Sequence, residues 1–139
     1  MKLELSGTEV EKDLDDALIK NLLASLKSDD DSFLILSKDT ESYIQTAKAD
    51  DGFFVLEYQE GSLDNHYECE DEKLNLQKVS MAFSSYFNGT DEWKTALKWV
   101  PQDFSAPGTP ISLPVKLLVL MIVAVIIAAA FLIISSSSA

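Results

Sequence analysis

The segment DDGFFVLEYQE, residues 50–60 of this 139-residue chain, has the clearest strand pattern in the sequence. Its first three residues, Asp-Asp-Gly, are typical of a tight hairpin turn. The side chains that follow alternate in two sets, which are Phe54, Leu56 and Tyr58 in one and Val55, Glu57 and Gln59 in the other. Because successive side chains of a strand point to opposite faces, this pattern predicts a strand with one face in a core.

Shorter segments on both sides predict the rest of a sheet. Apolar or aromatic residues cluster at residues 33–36, 43–48 and 66–69, and residues 1–5 are expected to add an edge strand. The predicted fold class is therefore α+β, with a mostly antiparallel sheet of four to five strands and two main helices on one face.

The first helix is predicted over residues 9–27, because apolar side chains recur there every three or four positions. Thr8 with Glu11 has the pattern of a capping box at its start. The second helix is predicted to begin after Asn75, a suitable N-cap, and to end at Gly89. Residues 91–99 are expected to close the domain as a short helix or final strand.

The C-terminal part has a different composition. All four prolines lie within residues 101–114, which predicts an extended linker after an acidic domain of residues 1–100. Residues 115–134, VKLLVLMIVAVIIAAAFLII, then contain 18 consecutive apolar residues, enough for a helix of about 27 Å. We predict one transmembrane helix that contacts the lipid bilayer, followed by a short Ser-rich tail at residues 135–139.

The N-terminal residues have no apolar run typical of a secretory signal. This predicts a tail-anchored, single-pass membrane protein with its N-terminal domain in the cytoplasm, at a bacterial inner membrane. Lys116 at the near edge of the span agrees with that orientation. Within the span, Ala124 and Ala128 are four residues apart and are candidates for close packing of another helix.

The net charge of −12 indicates the class of partner. All 23 carboxylates and ten of the 11 basic residues precede Phe104, and every basic residue is lysine. The absence of arginine and of basic clusters argues against nucleic-acid binding. An acidic surface favours a basic protein partner, although the charge could also serve only to keep the domain soluble.

No residue pattern indicates an enzyme, a metal site or a cofactor. His66 and Cys69 are the pair suited to nucleophilic catalysis, but residues three apart in a strand point to opposite faces. The aspartates at positions 29–31 are interpreted as a solvated turn because they lack the spacing of a calcium loop. Glu57 is interpreted as an exposed residue of its strand, and burial would require a partner such as Lys48.

Several motifs between residues 33 and 99 resemble small bacterial proteins of largely unassigned function, and more loosely the immunity proteins of polymorphic toxin systems. These motifs are YIQTA, FFVLEYQEGSLDNHY, AFSSYFNG and DEWKTALKW. The resemblance implies a compact α+β domain that binds and blocks a toxin.

The leading hypothesis is thus a membrane-anchored protein-interaction module, in its most concrete form an immunity-type inhibitor of a basic protein. Its candidate partner-binding residues are Glu57, Tyr58, Glu60, Asp64, His66 and Glu68. One alternative is an accessory subunit of a membrane complex, recognised through its transmembrane helix. A third hypothesis is an enzyme that uses Glu57, His66 and Glu68, which predicts a deep pocket around them.

Overall fold

The computed structural model describes residues 1–29, 31–71 and 73–102 of the chain. Within them, seven strands form one sheet in the order β2-β1-β3-β4-β5-β6-β7, and every neighbouring pair is antiparallel. The strands are β1 Lys2–Leu5, β2 Thr8–Glu9, β3 Phe33–Ser37, β4 Tyr43–Lys48, β5 Phe54–Gln59, β6 His66–Cys69 and β7 Trp99–Pro101. The helices are α1 Asp16–Ser25, α2 Leu76–Phe87 and α3 Glu92–Ala96.

The predicted α+β class with an antiparallel sheet is confirmed, but the predicted count of four to five strands is wrong. Of the two further strands, β2 was not predicted and contains two residues, and β7, with three residues, was expected only as an alternative to a short helix at residues 91–99. So short a strand cannot show the alternation by which strands are recognised in a sequence. The N-terminal strand β1 is also not at the edge, since β2 pairs with its outer side.

The first helix begins seven residues later than predicted. The chain forms a hairpin at Ser6-Gly7, and Thr8 and Glu9 pair back onto β1. The helix is instead capped by Asp15, whose carboxylate accepts a hydrogen bond of 2.7 Å from the backbone N–H of Leu18. The sequence therefore contains two suitable N-cap residues, Thr8 and Asp15. Because Thr8 pairs with β1 as part of a strand, the helix begins after Asp15.

The second helix matches its prediction closely. Asn75 caps α2 by accepting a 3.0 Å hydrogen bond from the N–H of Lys78. Gly89 follows the last turn with φ of +70°, a conformation that glycine adopts without steric cost. For residues 91–99 a short helix or a final strand was expected, and the structure has both, since α3 is followed by β7.

The sheet extends one residue into the segment predicted as linker. Pro101 lies in β7 opposite Tyr67, and the backbone N–H of Gln102 donates to the carbonyl of His66 at 2.9 Å. Proline is tolerated here because β7 is an edge strand of the described sheet. The remainder of that segment, the predicted transmembrane helix at 115–134 with Ala124 and Ala128, and the tail lie outside the described residues.

The three helices pack on one face of the sheet, called here the helix face. The hydrophobic core combines helix residues such as Ile19 and Phe83 with strand residues such as Leu36 and Leu56. In each strand, the side chains that alternate with the core residues point to the opposite face of the sheet, called here the polar face. Its central members are Tyr43, Gln45, Glu57, Gln59, His66 and Glu68.

Among residues 1–29, 31–71 and 73–102, no helix has the length and apolar character needed to cross a membrane.

Candidate functional site

The six predicted partner-binding residues fall in three separate places. Glu57, His66 and Glu68 lie together on the polar face, and Tyr58 lies in the core. Glu60 and Asp64 lie in the turn between β5 and β6 at one end of the sheet. The structure therefore brings three of the six together and divides the rest between the interior and a loop.

Tyr58 offers its side chain to the core and not to solvent. It is only 7% exposed, its ring stacks on Tyr67 with centroids 4.8 Å apart, and it meets Trp93 and Trp99 edge-on at 4.6 and 4.7 Å. Such aromatic contacts add to the gain from burying apolar area. Tyr58 is thus a structural residue of the helix face in this conformation.

Glu57 is buried, contrary to its interpretation as an exposed strand residue. Its side chain sits on the polar face with 5% exposure for the residue, and its Oε2 accepts a short hydrogen bond of 2.6 Å from Nε2 of Gln45 on the neighbouring strand. Lys48, the partner that burial was expected to require, lies on the other face over the ring of Phe54. Amide and imidazole groups replace the lysine because they lie on the same face as the carboxylate.

His66 is fully buried at the start of β6. Its Nε2 lies 3.6 Å from Oε2 of Glu57, and its Nδ1 lies 3.5 Å from the hydroxyl of Tyr43. The hydroxyl of Tyr43 also lies 3.3 Å from Oε1 of Gln59. Burial, and then the charge of Glu57, raise the pKa of Tyr43 far above its ordinary value, so the phenol keeps its proton.

Glu68 completes this group as the cross-strand neighbour of Glu57. Burial raises the pKa of Glu68, the negative charge of Glu57 raises it further, and His66 opposes both effects. Its carboxylate accepts a 2.9 Å hydrogen bond from Nε2 of Gln102. The polar face thus holds two adjacent carboxylates, one imidazole and one phenol in a network of amide side chains.

His66 and Cys69 lie on opposite faces of β6, as their spacing predicted. His66 lies on the polar face, whereas Cys69 lies opposite Trp99 and belongs to the core of the helix face. Burial raises the pKa of the Cys69 thiol, which disfavours the reactive thiolate. Among the described residues, no group of three or more His, Cys, Asp or Glu side chains could hold a metal ion.

An open depression of about 510 Å³ lies beside α2 and is bordered by hydroxyl and amide side chains. Ser80, Ser84 and Thr90 contribute to it, and none of Glu57, His66 or Glu68 does. The depression is therefore not the pocket that the enzyme hypothesis predicts around Glu57, His66 and Glu68.

The second feature of interest is the end of the sheet where β3 and β5 finish. The turn between β3 and β4 and the turn between β5 and β6 meet there, since the N–H of Gly61 donates to the carbonyl of Glu41 at 3.0 Å. The start of α3 joins them through Lys94, which contacts both Glu60 and Asp91. We call the exposed carboxylates of these segments the acidic end; they are Asp39, Glu41, Glu60, Asp64 and Asp91.

The lysines at this end are already engaged. Lys94 is held by Glu60 and Asp91, and Nζ of Lys38 lies 4.5 Å from the centroid of the Tyr86 ring. At the far edge of the sheet, Lys2 pairs with Glu4 and Glu9 at 2.7 and 3.4 Å. Within the part of the chain that the structure describes, Asp39, Glu41 and Asp64 have no ion-pair partner.

The opposite end of the sheet is more balanced in charge. In the described residues its connections contain the carboxylates Asp29, Asp31, Asp50, Asp51, Glu70 and Asp71 and the lysines Lys27, Lys48, Lys73, Lys78 and Lys98. Among the described residues, carboxylates therefore outnumber lysines by three at the acidic end and by one at the opposite end.

Sequence reasoning missed several members of both features. Gln45 alternates with Ile44 and Thr46 in β4, and Gln59 follows Glu57 two positions later in β5, a pattern that indicates a polar second face. Asp39, Glu41 and Asp91 carried no local signal, because only the antiparallel pairing brings their turns together.

Comparisons with protein family models, with curated proteins and with solved structures found no match to this chain. The resemblance to immunity proteins therefore stays a prediction.

Proposed function

We propose that this protein is an interaction module whose acidic end binds a basic protein. The supporting observation is the set of exposed carboxylates Asp39, Glu41 and Asp64, which no lysine of the described residues neutralises. Like charges held near one another repel, and a cationic partner surface relieves that repulsion. The charge complementarity also accelerates association through long-range attraction.

The shape of the acidic end also suits a protein partner. Leu63, in the 3₁₀ turn Leu63–Asn65, is 44% exposed beside Asp64. An exposed apolar side chain beside a carboxylate offers both a contact that excludes water and a charged group, and interfaces combine such contacts. Hydrogen bonds between the two turns hold these groups in place before binding, which lowers the entropy cost of association.

The apolar residues 115–134 complete the proposal as a membrane tether. A negatively charged domain is repelled by anionic headgroups, so we expect it to stand off the bilayer and remain accessible to its partner. In the most concrete version, the partner is a basic toxin that the domain blocks on the cytoplasmic side of a bacterial inner membrane.

The experiment compares two variants of the full-length chain with equal net charge. One neutralises the acidic end with Asp39→Asn, Glu41→Gln and Asp64→Asn, and its matched control carries Asp31→Asn, Asp50→Asn and Asp51→Asn at the opposite end. Each tagged chain is used to capture partners from detergent-solubilised membranes of the producing cells. We expect a basic protein that the control retains, that the acidic-end variant loses and that raised salt releases.

Two results would contradict the proposal. Equal capture by both variants would remove the acidic end as the binding surface. Capture that survives in the acidic-end variant but disappears when residues 115–134 are replaced by another apolar sequence would favour the accessory-subunit alternative, with recognition through the span.

A further inference from the structure

One hydroxyl on the polar face stands between two acceptors. Tyr43 Oη lies 3.3 Å from Oε1 of Gln59 and 3.5 Å from Nδ1 of His66. A phenol has a single proton to donate, so it can serve only one of these atoms at a time. The imidazole can reverse its role, because Nδ1 accepts when it is unprotonated and donates when it carries a proton.

We propose that the protonation state of His66 determines whether the hydroxyl of Tyr43 donates its hydrogen bond to His66 or to Gln59. This choice in turn sets how strongly the acidic end is hydrogen-bonded to the sheet. In the neutral imidazole whose proton is on Nε2, toward Glu57, Nδ1 accepts the hydroxyl proton of Tyr43. When a proton from solvent converts the ring to imidazolium, Nδ1–H donates to the phenol oxygen. The hydroxyl proton of Tyr43 is then directed to Gln59.

The link continues from Gln59 to the acidic end. The amide of Gln59 is only 7% exposed, and its Nε2 donates at 3.1 Å to the backbone carbonyl of Glu41. That carbonyl also accepts the N–H of Gly61, which joins the two acidic turns. A hydrogen bond from Tyr43 to Oε1 fixes the orientation of the amide and aligns its N–H with Glu41, since hydrogen bonds in a chain strengthen one another.

The polar and titratable groups that face His66 in the described residues come from three strands and the residue after β7. Tyr43 faces it from β4, and Glu57 and Gln59 face it from β5. Glu68 lies on β6 itself, and Gln102 bonds to Glu68. The titratable neighbours of the ring among the described residues therefore include two carboxylates, Glu57 and Glu68, and the phenol of Tyr43.

The consequence for partner binding rests on the proposed function. A firmer acidic end at lower pH holds its carboxylates in the binding geometry, so the affinity for a basic partner should rise as His66 takes up its proton. The switch itself can be measured without any partner, so that its failure is distinguishable from a failure of the proposed function.

The test uses nuclear magnetic resonance on the full-length chain in detergent micelles between pH 5 and 8. His66 is the only histidine of the sequence, so a ¹³C label in histidine reports its protonation without ambiguity. The amide of Gly61 reports the joined turns, and the amide of Gly52, which donates to Ala49 in the turn at the opposite end, is the internal control. Tyr43→Phe removes the hydroxyl and keeps the ring.

We expect the chemical shift of the Gly61 amide to follow the titration of His66, and its exchange protection, corrected for the intrinsic exchange rate, to rise about threefold on acidification. Gly52 should not follow. In Tyr43→Phe, His66 should still titrate while the response of Gly61 is lost. A His66 ring that does not titrate in this range would overturn the proposal, as would a Gly61 response that is absent in the unchanged chain or that persists in Tyr43→Phe.

Discussion

At the scale of single residues, the polar face depends on the carboxylate of Glu57. It is buried, it accepts from Gln45, and it lies beside His66 and opposite Glu68. A buried charge is tolerated only where hydrogen bonds or an opposite charge replace its hydration. The neighbouring strands supply those groups. Burial, and then the charge of Glu57, raise the pKa of the adjacent Glu68.

Glu68→Gln is expected to stabilise the domain at pH 7. Because the pKa of Glu68 is raised in the folded state, the folded chain binds this proton more tightly than the unfolded chain. Stability therefore falls as pH rises from the ordinary glutamate value, about 4.3, through the raised value. The variant lacks this loss, so its melting temperature should exceed that of the unchanged chain at pH 7 and match it near pH 4.

The matched control for this prediction is Glu70→Gln, since Glu70 is exposed at the end of the same strand. Thermal unfolding at several pH values, followed by circular dichroism, gives the comparison. A difference between Glu68→Gln and the unchanged chain that stays constant over the pH range would disprove the electrostatic explanation.

At the scale of elements, the start of α1 shows how pairing between strands overrides a local signal. Thr8 has a suitable cap sequence but is an exposed residue of β2, whereas Asp15 makes the capping hydrogen bond. The apolar periodicity that suggested an earlier start also contains Val10 and Leu14, which pack against the core from outside the helix.

Asp15→Ala should therefore cost about 1 kcal/mol of unfolding free energy, because it leaves the backbone N–H of Leu18 without its side-chain acceptor. Thr8→Ala is the control and should change the free energy by less than about 0.5 kcal/mol. Urea unfolding of both variants measures the two costs. The reverse order of effects would place the functional start of the helix at Thr8.

How much the sequence predicts depends on the range of the signal. The central strand and α2 were predictable, because alternation in residues 54–59 and the Asn75 and Gly89 boundaries of α2 are local patterns. The edge strand β2 was not predictable, and β7 was expected only as an alternative to a short helix, since their few residues acquire strand geometry only by pairing. The burial of Glu57 was missed for the same reason, because its partners come from other strands.

At the scale of the whole molecule, one core joins the sheet to the helices. Phe83 of α2 is fully buried within it, whereas Leu76 at the start of the same helix is 38% exposed. Phe83→Ala should cost about 3–5 kcal/mol through lost burial and a residual cavity. Leu76→Ala, the matched control on the same helix, should cost less than about 1 kcal/mol.

Unfolding in urea followed by the fluorescence of Trp93, which is buried in the same core, measures both variants. Equal costs for Phe83→Ala and Leu76→Ala would show that α2 does not contribute the packing described here.

The charge distribution is the property of the whole molecule that carries the proposed function. The acidic end combines turns that are far apart in sequence, and its lysines are already engaged in internal contacts. Two variants that each neutralise three carboxylates, but at different ends of the sheet, have the same net charge. Comparing them separates a binding surface from a general effect of charge on solubility.

The most direct test is the equilibrium affinity of the captured basic protein for three full-length chains at several salt concentrations. These are the unchanged chain, the acidic-end variant with Asp39→Asn, Glu41→Gln and Asp64→Asn, and the control with three neutral substitutions at the opposite end. Our account predicts an affinity about tenfold lower and a shallower salt dependence for the acidic-end variant, at roughly 0.5 kcal/mol per charge, and little change for the control. Equal losses in both variants, or none in either, would contradict it.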